Sequence, residues 1–187
     1  QLTGVALVGG TALFGFYAGH RRSDDIDLFV ESEASKKAAI LSAESLRKQG
    51  AEITVQTNSA HYYRSLCQWN TYSFTIDIVL DTNIFRVGKF HQLQPLVIAS
   101  LETIFKMKIA TLVSRCSEKD LFDLIWLFDH YLSETTSIES VINFGQQIDA
   151  GVNAENLLIG LTGSNLSEQA CDFGINTSGT EIFQQLQ

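Results

Sequence analysis

The chain has 187 residues, a length that suits one substantial hydrophobic core or a core with a helical appendage. Hydrophobic residues make up 45% of it and charged residues 18%, a globular balance that excludes a disordered chain. The net charge of −8 argues against a general nucleic-acid-binding protein, although a local basic patch around an active site is compatible with it. The three scattered cysteines indicate reduced thiols in a cytoplasmic protein rather than a disulfide framework or a zinc site.

The sequence predicts neither a membrane span nor a secretory signal. An apolar run at residues 2–8 gives way at once to Gly9 and Gly10, so it is too short to cross a bilayer. The first residue is Gln rather than Met. We therefore expect that an N-terminal piece, which would pack against the first strand, precedes the given sequence.

The first half of the chain alternates between strand and helix patterns. Apolar runs and two-residue alternation predict strands, and helical spacing of apolar side chains predicts amphipathic helices. Gly19 and Gly50 are expected to end the two helices. In chain order, the predicted elements are a strand at 5–8, a helix at 11–18, a strand at 25–30, a helix at 33–49, a strand at 51–56, a loop or short helix at 58–70 and a strand at 72–81.

Beyond Pro95, the only proline, the pattern becomes helical. The predicted helices are at 101–113, 119–132, 136–148 and 154–161, and residues 163–180 have a weak pattern. The fold class is therefore α/β, with about four strands in a core at residues 1–95. Residues 96–187 are expected to form a helical region that packs on this core.

Asp25 and Asp27 are the first candidates for chemistry. Side chains on a strand alternate between its faces, so these two carboxylates point the same way and repel each other. A divalent cation between them relieves that repulsion, and hard oxygen ligands suit Mg²⁺. A solvated strand end would also explain two acids, but the neighbouring Ile26, Leu28 and Val30 are typical of interior strand and favour a metal site.

Asp77 is a third candidate, in the middle of the strand at 72–81. An isolated Asp there could cap a helix or pair with an arginine. Together with Asp25 and Asp27, however, it completes the three-carboxylate set that two-metal phosphoryl chemistry requires. Asp81, on the same predicted face, is interpreted as a strand-end residue.

The Gly9-Gly10 turn lies between the first strand and the first helix. Backbone N–H groups at such a helix start can bind phosphate, although a tight structural turn explains the glycines as well. A P-loop is excluded because Gly10 stands where that motif requires lysine. A phosphate cradle beside paired carboxylates indicates phosphoryl or nucleotidyl transfer.

Two blocks of the sequence carry a resemblance to a known family. GGTAL at Gly9–Leu13, followed by R-x-S-x-D-I-D-L-F at 21–29, resembles the nucleotidyltransferase signature of the DNA polymerase β superfamily. The resemblance is closer to the AbiEii/AbiGii toxin family, whose second conserved block has a Lys, an Arg and then an Asp-x-x-Asp pair. The stretch at 107–124 is similar to that block, with Lys108, Arg115, Asp120 and Asp123 at those positions.

The resemblance implies a nucleotidyltransferase fold with a mixed sheet and flanking helices. It implies that Asp25, Asp27 and Asp77 are catalytic residues that bind two Mg²⁺ ions, with Mn²⁺ as a substitute, and that Asp77 helps to deprotonate the acceptor. The implied reaction moves a nucleoside monophosphate from an NTP to an acceptor hydroxyl, such as the end of a tRNA. A toxin of a toxin–antitoxin or abortive-infection system would also have an antitoxin partner.

The resemblance further implies a set of nucleotide-binding residues. The glycine turn would hold the triphosphate, Lys108 would neutralise phosphate charge, and Asp123 would support either that lysine or the metal region. The full set is Gly9, Gly10, Thr11, Arg21, Ser23, Lys108 and Asp123. Lys108 could equally be an ordinary exposed helix lysine, and Asp120 could be structural, paired with Arg115.

Two other functions stay open at this stage. The acidic charge balance favours transfer to a protein side chain, because no basic surplus marks an RNA-binding surface. A catalytically silent module that binds nucleotide or a partner protein is the other alternative. It would not need to keep three carboxylates that repel one another.

Overall fold

The computed structural model describes residues 3–132 and 136–187, so Leu2 of the predicted apolar start lies outside it. These residues form two compact units. The first contains the residues up to Ala12 together with Ser23–Ser100, and the second contains Leu13–Arg22 and the residues from Leu101 onward. None of the described helices is long and apolar enough to cross a membrane.

The first unit is built on a mixed sheet that has seven strands within the described residues. The strands are β1 (Val5–Leu7), β2 (Asp25–Val30), β3 (Glu52–Asn58), β4 (Tyr62–Trp69), β5 (Tyr72–Leu80), β6 (Phe90–Leu93) and β7 (Leu96–Ala99). Their order across the sheet is β3-β4-β5-β2-β1-β7-β6. The pairs β2–β5 and β1–β7 are parallel and the other pairs are antiparallel. The predicted α/β class is confirmed.

The helices in the first half of the chain follow the glycine signals of the sequence. A short helix α1 (Gly9–Leu13) continues as a π-helix (Phe14–Ala18) that Gly19 ends in a left-handed conformation, with φ 61°. Helix α2 (Glu33–Glu44) continues as a 3₁₀ turn (Ser45–Gln49) that Gly50 ends with φ 89°. A third helix, α3 (Thr82–Val87), starts at Asp81, whose side chain accepts from the N–H groups of residues 83 and 84. The helices predicted at 11–18 and 33–49 are confirmed.

The core of the first unit joins α2 to one face of the sheet. Its buried residues are Val5, Val30, Ala39, Ala43, Ala51, Ile53, Tyr63, Cys67, Ile76 and Ile78. Because side chains alternate along a strand, burying Ile76 and Ile78 turns Asp77 to the opposite face of the sheet. The apolar face therefore fixes where the carboxylates lie.

The second unit is helical. Its helices are α4 (Leu101–Ser114), α5 (Glu118–His130), α6 (Ile138–Gln146), α7 (Ala154–Thr162) and α8 (Gly179–Gln185), with a 3₁₀ turn at Glu168–Cys171. Polar side chains cap several helix starts, and Ser117 accepts from the N–H of Asp120 at the start of α5. The helices predicted in this half of the chain are confirmed with small shifts of their ends.

Two parts of the sequence interpretation were wrong. Residues 58–70 contain strand β4 rather than a loop or short helix, because its inward side chains include the polar Ser65, which weakens the apolar alternation. Residues beyond Pro95 first form β7, so the sheet has more strands than the four expected. The first unit includes β7 and runs to Ser100.

Candidate active site

Three carboxylates lie on one face of the two central parallel strands. In the β2–β5 pairing, Asp25 is opposite Thr75 and Asp27 is opposite Asp77. Residues in register on neighbouring strands project from the same face, so Asp25, Asp27 and Asp77 lie together. We call these three residues the acid face.

Asp25 and Asp77 share the hydroxyl group of Thr75. The Thr75 Oγ1 donates to Asp25 Oδ1 at 2.5 Å and lies 3.4 Å from Asp77 Oδ2. The Asp25 side chain is 42% exposed, whereas that of Asp77 is 10% exposed. One small hydroxyl group between two carboxylates places their oxygens close to each other.

Tyr62 holds the second oxygen of Asp77. Its hydroxyl group donates a short hydrogen bond to Asp77 Oδ1. Burial raises the pKa of Tyr62, and the hydrogen bond and charge of Asp77 raise that pKa further. The phenol therefore stays protonated at neutral pH and keeps Asp77 in place as a hydrogen-bond donor.

Arg64 is the positive charge of this face. Its Nε lies 3.7 Å from Asp77 Oδ1, its Nη2 lies 3.9 Å from Asp25 Oδ1, and its side chain is 40% exposed. Burial disfavours the charged guanidinium, but Asp77, Tyr62 and Asp25 outweigh that effect and raise the pKa of Arg64. Arg64 was not predicted as a site residue, because it faces Asp77 only through the β4–β5 pairing.

Gly9 allows Asp27 to approach the backbone. Its φ of 67° is left-handed, and a Cβ atom placed on it would lie 2.2 Å from Asp27 Oδ2. The backbone N–H of Val8 also donates to the carbonyl oxygen of Asp27 at 3.0 Å. The first glycine of the predicted phosphate turn is therefore required by the carboxylate itself.

Thr11 and Ser23 connect the start of α1 to the acid face. The Thr11 hydroxyl makes a short hydrogen bond to the carbonyl oxygen of Asp25 and lies 3.0 Å from the Ser23 hydroxyl. Gly10 is buried beside them at the first turn of the helix. The structure thus brings together four of the predicted nucleotide-binding residues with Asp25 and Asp27.

The acid face fits a divalent cation by its donor chemistry, since carboxylate oxygens are the ligands that Mg²⁺ and Mn²⁺ prefer. In the arrangement seen here, Asp25 and Asp77 accept hydrogen bonds from Thr75 and Tyr62. Across residues 3–132 and 136–187, no group of three or more His, Cys, Asp or Glu side chains could hold a metal ion as they stand. Metal binding at this face therefore requires a rearrangement of the carboxylate side chains.

The other predicted site residues, Arg21, Lys108 and Asp123, lie in the second unit. Together with Asp120 they form a group that we call the buried ion cluster. Arg21 forms a bidentate ion pair with Asp123. Its Nε donates to Oδ1 at 2.6 Å and its Nη2 donates to Oδ2 at 2.7 Å. Lys108 Nζ lies 2.6 Å from Asp123 Oδ2 and 2.8 Å from Asp120 Oδ1. All four side chains are almost fully buried.

Mutual pairing makes this burial tolerable. Burial alone would raise the pKa of Asp123, but the charge of Lys108 and the hydrogen bonds of Arg21 and His20 hold that pKa far below its usual range. Burial likewise raises the pKa of Asp120, but the charge and hydrogen bond of Lys108 and the hydrogen bond of Ser117 outweigh this effect and lower that pKa. Both aspartates are therefore ionised in the folded protein.

His20 completes the cluster, although no role was predicted for it from the sequence. Its Nε2 lies 2.8 Å from Asp123 Oδ1, and since a carboxylate only accepts, that nitrogen donates. The ring also stacks on Phe122, with 5.4 Å between the ring centroids. Its position beside Arg21 in the sequence was the one available signal.

The predicted nucleotide-binding residues Arg21, Lys108 and Asp123 are buried and paired with one another in this cluster. The alternative of an exposed helix lysine does not apply, because Lys108 is 7% exposed. Arg115 Nε lies 3.5 Å from Asp120 Oδ2, which is the helix-linking pair considered for Asp120. In this structure these residues form ion pairs with one another, and their contribution to nucleotide binding stays a prediction.

Comparison with known proteins identifies the group to which the chain is related. A family model described as the nucleotidyl transferase AbiEii toxin of a type IV TA system matches residues 3–168. JHP933 from Helicobacter pylori is similar in structure, with a TM-score of 0.57 and 20% identity over 98% of this chain and 81% of that one. MenT4, a nucleotidyltransferase toxin from Mycobacterium tuberculosis, has a TM-score of 0.59 and 16% identity over 89% of this chain and 65% of that one. No curated protein matches the sequence.

Proposed function

We propose a function from the premise that this chain belongs to the AbiEii nucleotidyl transferase toxin family. The proposed activity is metal-dependent transfer of a nucleoside monophosphate from an NTP to an acceptor hydroxyl group. One observation carries the proposal: Asp25, Asp27 and Asp77 lie side by side on adjacent strands, with Gly9 directly against Asp27. Phosphoryl chemistry of this kind depends mainly on positioning and on neutralising charge, and three adjacent carboxylates are suited to both through bound cations.

The proposed reaction is a single displacement at the α-phosphorus. The acceptor oxygen forms a bond to that phosphorus, and the bond from phosphorus to the α–β bridging oxygen breaks. Pyrophosphate leaves with the bonding electron pair, and Asp77 takes the proton of the acceptor hydroxyl. Tyr62 keeps Asp77 oriented for this task through its hydrogen bond to Oδ1.

Divalent cations are the proposed cofactors. Asp25, Asp27 and Asp77 would hold two Mg²⁺ ions, or Mn²⁺ in their place. When bound, such ions neutralise the phosphate charge and lower the pKa of the attacking hydroxyl. Thr75 and Tyr62 orient the carboxylates from the strand side.

The nucleotide is proposed to bind along the glycine turn. Backbone N–H groups of Gly9 and Gly10 and the hydroxyl groups of Thr11 and Ser23 are suited to phosphate oxygens, and Thr11 is already fixed to the Asp25 strand. The proposal keeps Arg21, Lys108 and Asp123 as nucleotide-binding residues on the strength of the family resemblance alone.

The acceptor and the partner follow from the family. We propose RNA as the acceptor, such as the end of a tRNA, in the cytoplasm, and an antitoxin protein as the partner that controls the toxin. The net charge of −8 favours a protein side chain as the second candidate acceptor, because an acidic chain repels RNA except at a local basic patch.

Label transfer decides between these acceptors. The full chain, without any co-expressed partner, is incubated with each α-labelled NTP, Mg²⁺ and either total RNA or total protein. We expect label that nuclease removes and protease does not. Label that protease removes and nuclease does not would support nucleotidyl transfer with protein, rather than RNA, as the acceptor. No label with any NTP or acceptor would contradict the proposed activity.

A further inference from the structure

We infer that Arg64 is a built-in counter-ion of the acid face that competes with divalent cations for Asp25 and Asp77. The inference rests on the proposed function, since it concerns the same carboxylates. It assigns to Arg64 a control over metal binding that goes beyond the proposed activity.

The position of Arg64 supports this role. It lies directly opposite Asp77 in the β4–β5 pairing, so its side chain leaves the sheet on the face that carries the carboxylates. Its guanidinium approaches both Asp77 and Asp25, at 3.7 Å and 3.9 Å. A single guanidinium therefore lies within ion-pair distance of the two carboxylates that would help to hold a metal ion.

The looseness of these contacts argues against a purely structural ion pair. In the buried ion cluster, the Arg21 and Lys108 nitrogens lie 2.6 Å from the Asp123 oxygens, and the side chains are almost fully buried. Arg64 stands about an ångström further from its partners, and its side chain is 40% exposed. Such a pair contributes little to stability, and water can replace it at small cost.

Electrostatics then sets up a competition. A cation bound to Asp25 and Asp77 would lie close to the guanidinium, and like charges at that distance repel. Arg64 would have to leave the carboxylates before they could bind metal. Thr75 and Tyr62 would stay, because each contacts a carboxylate oxygen as a neutral donor.

The test is a Mn²⁺ titration of the full chain without nucleotide, with unbound Mn²⁺ followed by electron paramagnetic resonance. Arg64→Gln removes the charge, and Arg64→Lys keeps it. Arg86→Gln is the matched control, because Arg86 is an exposed arginine of the same unit that contacts Asn83. Asp25→Asn and Asp27→Asn report whether the bound Mn²⁺ is at the acid face, and thermal unfolding of every variant reports stability.

We expect Arg64→Gln to bind Mn²⁺ about three- to tenfold more tightly than the wild type, the range for losing a partly screened charge. Arg64→Lys and Arg86→Gln should bind within about twofold of the wild type. Because the expected effect is a gain, general damage to the fold cannot imitate it.

Two contrary results are distinguishable. Equal or weaker Mn²⁺ binding by Arg64→Gln, with wild-type binding that Asp25→Asn abolishes, would overturn the counter-ion role and leave the proposed function intact. Mn²⁺ binding that neither Asp25→Asn nor Asp27→Asn weakens would contradict the proposed function, and the inference would fall with it.

Discussion

The acid face and the buried ion cluster contain similar residues in opposite surroundings. In the cluster, Asp123 is fully buried and has Arg21, Lys108 and His20 as close partners. On the acid face, Asp25 is 42% exposed, and Arg64 is the one cation within 4 Å among its ion pairs in the described part of the chain. Buried charges must be fully paired, whereas exposed carboxylates can remain available to a ligand. The comparison indicates that mutual pairing in the cluster stabilises the second unit, whereas the acid face is the place where we propose the metal-dependent chemistry.

The largest expected effect is on the acid face. Asp25→Asn and Asp27→Asn should each lower the rate of nucleotidyl transfer about a thousandfold, because losing a metal-binding carboxylate removes several kcal/mol of transition-state stabilisation. The melting temperature should change little, since the mutations also relieve repulsion between acids. Initial rates with α-labelled NTP measure the effect, and Asp24→Asn, at an exposed neighbouring residue, is the control. If Asp25→Asn and Asp27→Asn had a much lower melting temperature but normal activity, these carboxylates would be structural rather than catalytic.

The converse is expected in the buried ion cluster. Asp123→Asn leaves Arg21 and Lys108 with a weaker partner in a dry environment, so the free energy of unfolding should fall by about 3–5 kcal/mol. Urea unfolding measures it. Asp129→Asn, on the exposed side of the same helix, should change stability by about 0.5 kcal/mol or less. A stable Asp123→Asn protein would show that the cluster is not needed for folding.

A comparison of Ala substitutions at Gly9 and Gly50 distinguishes the effect of backbone strain from the effect of contact with the Asp27 carboxylate. Both have positive φ, but only at Gly9 would an added Cβ atom meet another residue, Asp27 Oδ2 at 2.2 Å. Each Ala substitution should cost about 1–2 kcal/mol of stability through the left-handed backbone. Gly9→Ala should in addition lower activity about a hundredfold, because it displaces the carboxylate. Equal activity of the two variants would contradict the role given to Gly9.

A smaller effect is expected at Tyr62. Tyr62→Phe removes the donor to Asp77 Oδ1 and keeps the ring, so the rate should fall about tenfold, as for other residues that orient a metal-binding carboxylate. The apparent Mn²⁺ affinity should weaken in parallel with the rate. Tyr72→Phe, at an exposed position on β5, is the control. An unchanged rate would mean that Thr75 alone orients Asp77.

The smallest effect is a pH dependence of stability. Asp120 and Asp123 have lowered pKa values in the folded protein, so as the pH falls the unfolded chain binds protons first. Their contribution is complete above the unfolded pKa of about 4 and is lost below it, by up to about 1.4 kcal/mol per pH unit for each group. Urea unfolding between pH 6 and 3 should show this loss, with a shallower slope in Asp120→Asn. If Asp120→Asn had the same slope as the wild type, the Asp120 carboxylate would not contribute to the pH dependence of stability, which would contradict its pairing with Lys108.

The sequence predicted the acid face better than its surroundings. Asp25, Asp27 and Asp77 could be placed because strand alternation is a local property, and the buried Ile76 and Ile78 fix the face of Asp77. Arg64 could not be placed, since its approach to Asp77 depends on pairing between strands. That pairing was hidden because β4 was not recognised.

The buried ion cluster was beyond prediction for a similar reason. Arg21 and Asp123 are 102 residues apart in the chain, and no local pattern indicates that they meet. The Lys108 and Asp-x-x-Asp spacing came from a family resemblance, which gives residue types but not burial. Only the structure shows that Lys108 and Asp123 are 9% and 0% exposed in their side chains.

The most direct test of the account compares α-labelled with γ-labelled NTP in the presence of Mg²⁺, using wild type, Asp25→Asn and Asp27→Asn with total RNA as acceptor. Nucleotidyl transfer at the acid face predicts that only the α label becomes attached, that pyrophosphate is released in equal amount, and that both variants lose the reaction. Transfer of the γ label instead, or α-label transfer that survives in Asp25→Asn and Asp27→Asn, would contradict the assignment of this chemistry to the acid face.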